Sequence, residues 1–131
     1  MLRRSFVGAV CGAAHALADD RTDALDAVAP IAAALSDGDT AAALAAIPRE
    51  LANYAELREN LTGLIAQAEV TSSVDVVSAE PGAAELDWYM QIRNRSTRMV
   101  VARRRGTVRV RFRKRKLLAL EPASFFAPPN A

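Results

Sequence analysis

The run ARRRGTVRVRFRKRK, residues 102–116, holds nine Arg or Lys in fifteen positions. So dense a set of fixed positive charges is suited to binding anions, because phosphate or sulfate polymers release condensed counterions when such groups neutralise them. Modules that read single-stranded nucleic acid add exposed aromatics for base stacking or flexible glycine-rich segments. The run has neither, so no nucleic-acid partner is expected. Its spacing supports another reading. Val108, Val110 and Phe112 alternate with Thr107, Arg109, Arg111 and Arg113, and period-two alternation sends the two sets to opposite faces of a strand. The apolar set then packs inward, while Arg109, Arg111 and Arg113 face outward, toward solvent, a second subunit or an anionic ligand.

The other candidate chemistry is apolar. Tyr54, Leu57, Trp88, Met90 and Phe112 are all expected to face the space between helices and sheet, as core or as the lining of a pocket for a small hydrophobic ligand. Tyr54 is the best single candidate for proton transfer, because Asp87 and Tyr89 should point to the other face. No catalytic set, metal site or cofactor is assigned. Cys11 is the one cysteine and His15 the one histidine. If both leave with an N-terminal leader, Cys/His zinc sites and Ser–His–Asp or Cys–His catalysis leave with them.

Such a leader is expected over residues 1–16. MLRR is a basic start, SFVGAVCGAA is apolar and small, and Ala14-His15-Ala16 has the small-x-small form of a cleavage site. Residues 17–131 then form a single domain of the exported, periplasmic protein; if residues 1–16 are retained, the protein is cytoplasmic. No apolar run approaches the roughly 20 residues that span a bilayer, so no integral membrane segment is expected in the mature chain. The full chain has 17 basic and 15 acidic side chains, and losing Arg3 and Arg4 makes the remainder neutral. Charge is segregated: residues 88–131 hold twelve basic groups and one acid, residues 17–87 three basic groups and fourteen acids.

Two periodicities organise the domain. Leu25, Val28, Ile31, Ala32 and Leu35 recur at helical spacing, with Asp20 or Thr22 as the starting cap and a bend or restart at Pro30. A short second helix runs from an Asp39 or Thr40 cap to Ile47. A third, capped by Asn53, carries Tyr54, Leu57, Leu61, Leu64, Ile65 and Ala68 as its apolar stripe. From residue 70 the period becomes two. VTSSVDVVSAE, AAELDWYMQIRNR, TRMVVARRRGTVRVRFRKR and KLLALEPASFFAPP read as four strands, the last running into a Pro-rich tail whose two phenylalanines tuck against the domain rim or a partner. Helices followed by a strand meander make an α+β layout, a mostly antiparallel curved sheet around a helical layer.

AALSDGDTAAALAAI, YAELRENLTGLIAQAEVTSSVDVVS, ELDWYMQIRNR and LALEPASFFAPP together resemble the nuclear transport factor 2-like superfamily, the cone fold shared with polyketide cyclases, ketosteroid isomerase and scytalone dehydratase. The likeness covers nearly all of residues 20–129. It implies three helices in the concave face of the sheet, a pocket between them, and a homodimer formed through the outer sheet face. The isomerase-type tyrosine and carboxylates have no counterpart at matching positions, so the resemblance implies architecture more than reaction. The expected function is a non-enzymatic, exported homodimer that binds a small apolar ligand. The alternative is a small lyase or isomerase using a pocket tyrosine or carboxylate.

Overall fold

The computed structural model describes the backbone of residues 2–129 and the side chains of residues 19–129. Three helices, α1 (Leu2–Asp37), α2 (Thr40–Ala46) and α3 (Tyr54–Gln67), precede four strands. These are β1 (Ala68–Glu80), β2 (Ala83–Asn94), β3 (Val100–Arg113) and β4 (Lys116–Glu121), followed by a 3₁₀ turn at Ala123–Phe126. The strands pair antiparallel in the order β1-β2-β3-β4, an open α+β meander. Among the described residues, no helix is long and apolar enough to cross a membrane.

Each strand alternates as its sequence requires. Leu86, Trp88, Met90 and Ile92 of β2 and Val108, Val110 and Phe112 of β3 are buried on the inner face. They meet Val28, Ile31 and Leu35 of α1 and Leu57, Leu61, Leu64 and Ile65 of α3 in one core. Each fully buried large apolar side chain contributes about 1.5–3 kcal/mol. Among the described residues no polar or charged residue is fully buried. Register shifts occur between Val76 and Ser78, between Ile92 and Arg93, and between Arg111 and Phe112; such bulges increase local twist.

Several elements depart from expectation. The helix expected to start at Asp20 or Thr22 is continuous from Leu2, so neither residue is a cap. The expected leader, residues 1–16, lies outside the described side chains. Pro30 does not restart α1: it is exposed, so the carbonyl it leaves without an N–H partner can be hydrated. The buried face of α1 is Ala24, Ala27, Val28, Ile31, Ala34 and Leu35, while Leu25 is exposed. Alanines at this contact allow α1 to approach the sheet closely, which a count of large apolar residues does not detect.

Asp39 does cap α2, its side chain accepting from the Ala42 N–H at 3.0 Å. Asn53 precedes α3 but makes no cap. Its Nδ2 donates instead to the Leu120 carbonyl at 2.8 Å, and Asn60 Nδ2 donates to Ala123 O at 2.8 Å, so the polar edge of α3 holds the end of the chain. Arg95, in the β2–β3 turn, places Nε and Nη2 3.0 and 2.7 Å from the Ile65 carbonyl and so closes the C-terminus of α3.

The fourth strand is shorter than expected, and Pro122–Pro129 folds back as a strap. Phe125 and Phe126 are buried, with ring centroids 6.4 and 5.1 Å from Trp88 in edge-on geometry. They belong to the core rather than to the rim, because an inward glycine makes room for them. Gly106 lies opposite Trp88, and a Cβ there would sit 3.1 Å from the Phe125 ring. On the other side, a Cβ on Gly63 of α3 would sit 3.0 Å from Pro128.

Candidate functional site

With the core on one face, the described helices leave the other face of the sheet open. Alternation places Thr71, Ser73 and Asp75 of β1 beside Gln91, Tyr89 and Asp87 of β2, and these beside Arg103, Arg105 and Thr107 of β3. Further along, Ser78, Glu85, Arg109 and Glu121 form a row across all four strands. Arg103, Arg105, Arg109, Arg111 and Arg113 are exposed along β3, with about 6.6 Å between successive same-face positions of a strand. Glu69, Asp75, Glu85 and Asp87 put the acids on β1 and β2, beside a column of arginines. The sheet face is therefore striped by charge rather than uniformly basic, although residues 88–131 hold most of the basic groups.

Few of these charges are neutralised locally. Arg105 Nη2 lies 3.0 Å from Asp87 Oδ2, with Nε 3.2 and 3.3 Å from the two carboxylate oxygens. The hydrogen bond and the charge of Asp87 raise the Arg105 pKa above its ordinary value. Asp75 stands directly opposite Asp87, a like-charge pairing that disfavours the sheet unless a cation lies nearby. Ser73, Asp75, Asp87, Tyr89 and Arg105 line one shallow depression on this face. Arg109 meets Glu121 at 3.6 Å, with both side chains well exposed, and Arg115 meets Asp26 at 3.4 Å; exposed pairs of this kind contribute little. Among the described residues, Arg103, Arg111, Arg113 and Asp75 have no ion-pair partner.

The inner face contains the residues expected to line a pocket. Leu57, Trp88 and Met90 are wholly buried and Phe112 nearly so; the structure brings them into the packed core. Tyr54 is half-buried at its edge and borders a surface depression with Leu44, Ile47, Pro48, Arg49 and Arg58. Among the described residues no acid lines that depression beside Tyr54. Among the described residues, two polar atoms on the inner face are buried without a hydrogen-bond partner, Trp88 Nε1 and Ser72 Oγ.

One inner residue escaped sequence reasoning. Arg104 points inward and is only partly exposed. Its Nη1 donates to the carbonyls of Phe125 and Ala127, both at 2.7 Å. Desolvation by burial lowers its pKa from the ordinary value. The signal was present: counting back by twos from Val108 reaches Gly106 and then Arg104. No group of three or more His, Cys, Asp or Glu able to hold a metal occurs among the described residues.

No known protein-family model matches the chain, and no curated protein matches it.

Proposed function

We propose that the chain is a non-enzymatic domain of the nuclear transport factor 2-like kind that works as a homodimer, its two copies meeting through the open sheet face. The observation that carries this reading is the columnar charge pattern on that face: the acids Glu69, Asp75, Glu85 and Asp87 on β1 and β2, with Arg93 the exception opposite Glu69, beside the arginines of β3, with Glu121 alone on β4. A two-fold axis running along β2 exchanges the β1 and β3 columns while keeping row order. It sets the Arg103–Arg113 column of one copy against the Glu69 and Asp75 column of the other, giving a self-complementary contact.

The area is adequate as well. Strands of 13, 12, 14 and 6 residues at about 3.3 Å per residue and 4.8 Å apart offer on the order of 700 Å² per copy, close to the roughly 800 Å² per partner of a standard interface. Light scattering at micromolar concentration tests the reading. It predicts twice the 14.0 kDa mass of one chain, falling toward one chain as salt screens the columns. A single-chain mass at low salt contradicts it.

A second reading, a small apolar ligand held between helices and sheet, draws support from the buried, unpartnered Trp88 Nε1 and Ser72 Oγ. Buried polar atoms without partners are uncommon in native interiors. Export by way of a leader over residues 1–16 belongs to the same proposal and rests on the sequence pattern. It is tested by the N-terminus of the secreted chain.

A further inference from the structure

β3 has 14 residues, but β4 pairs only with residues 109–113 of it. The Phe112 N–H donates to Gly82 O, on the β2 side, at 3.0 Å. Backbone groups alternate in direction along a strand, so the even-numbered residues of β3 bond to β2 and the odd-numbered ones point the other way. At Arg109 and Arg111 that other side holds Glu121 and Ala119 of β4. At Arg103, Arg105 and Thr107, among the described residues, it holds no strand, and no backbone hydrogen bond from a turn or loop reaches them. The chain leaves the line of β4 at Pro122 and passes to the inner face, where Phe125 and Phe126 meet Trp88. Three N–H and three C=O groups thus stand along an open edge, on residues that are exposed.

Such an edge is a template for another strand, and the side chains beside it decide which strand it admits. Among the described residues Arg103 has no ion-pair partner, and Arg105, which bonds Asp87 through Nε and Nη2, keeps Nη1 free. β4 shows the matching chemistry a few residues along. Its last residue, Glu121, stands opposite Arg109 and meets it at 3.6 Å. Two copies pairing antiparallel along this edge would instead set arginines against arginines, which is unfavourable. We propose that the open edge of β3 takes up an extended acidic peptide of another protein, added as a strand in line with β4. Acids at alternate positions of the peptide lie opposite Arg103 and Arg105 and exchange N–H···O bonds with their backbone. Main-chain bonds then supply the affinity and the alternate side chains the specificity. The edge lies at the side of the sheet, so a second copy stacked on the sheet face leaves it open. This inference goes beyond the dimer reading and does not depend on it.

The test is fluorescence anisotropy of a labelled, end-blocked peptide of alternating Val and Glu, titrated with the full chain. Saturable binding of one peptide per chain is expected, at least tenfold tighter than for the same peptide with Lys in place of Glu. Backbone N-methylation separates strand addition from charge attraction, because only the N–H groups of residues opposite the arginines point to β3. Methylating the Glu nitrogens is expected to abolish binding, and methylating the Val nitrogens to leave it. In the protein, Thr107→Pro removes one edge N–H where an edge strand tolerates proline and should weaken binding at least tenfold, while Thr107→Val retains it. Circular dichroism checks that each variant is folded; if Thr107→Pro is not, the two methylated peptides decide alone. Equal affinity for the Glu and Lys peptides overturns the acidic partner. Equal affinity for the two methylated peptides, or full binding by folded Thr107→Pro, overturns strand addition at this edge. No saturable binding overturns both, and none of these results bears on the mass that tests the dimer.

Discussion

Arg103 and Arg104 are neighbours in sequence and opposites in structure, and replacing each in turn separates strand periodicity from mere charge density. Arg103 is exposed without an ion-pair partner among the described residues, so Arg103→Ala should change stability by no more than about 0.5 kcal/mol. Arg104→Ala removes two charge-assisted bonds of 2.7 Å, each worth about 1.5–3 kcal/mol net when made to a charged group. It also leaves two strap carbonyls without their donor. Relief of the guanidinium's desolvation returns part of this, so the expected loss is about 2–3 kcal/mol. For a chain of this size each kcal/mol moves the melting temperature by roughly 3–6 °C, so Arg104→Ala should melt on the order of 10 °C below Arg103→Ala. Thermal and urea unfolding in about 0.5 M salt, where contacts between sheet faces are screened, give the comparison. Equal losses, or a loss for Arg104→Ala below about 0.5 kcal/mol, would refute the assignment of Arg104 to the inner face.

Two further predictions follow from the packing. Phe126→Ala removes a wholly buried ring beside Trp88 and should cost about 3–5 kcal/mol in urea unfolding, whereas a rim position would cost under 1. Deleting residues 1–16, the expected leader, should change the unfolding free energy by no more than about 0.5 kcal/mol. Mass spectrometry of the secreted protein should find Leu17 at its N-terminus, and an intact Met1 would contradict the expected leader.

Much of this fold was legible because periodicity is a strong signal where large apolar residues carry it. The strands from Ala83 to Arg113, the inward Val108, Val110 and Phe112, and the outward Arg109, Arg111 and Arg113 all follow from alternation alone. Where alanine does the packing, the signal weakens. The buried face of α1 is half alanine, and the exposed Leu25 drew the reading away from it. Tertiary contacts also override local cues. Asn53 stands where a cap would, yet it bonds to Leu120, 67 residues away. The strap escaped because a Pro-rich end reads as a tail, and only the pairing of Gly106 with Trp88 shows where two phenyl rings fit. Of the expected ligand residues, alternation and helical spacing correctly placed Leu57, Trp88, Met90 and Phe112 inward, while distinguishing a lined pocket from a filled core requires atomic contacts.

The central claim, a dimer joined by complementary charge columns, is tested most directly by charge exchange between two chains. One variant carries Arg103→Glu, Arg111→Glu and Arg113→Glu on β3; the other carries Glu69→Arg and Asp75→Arg on β1. Sedimentation equilibrium at low salt should give each variant alone the mass of a single chain, because its face then presents charges of mostly one sign to its own copy. Mixed in equal amounts, they should sediment at the mass of two chains. Variants that remain dimers separately, or a mixture that stays monomeric beside a dimeric unaltered protein, would contradict the account.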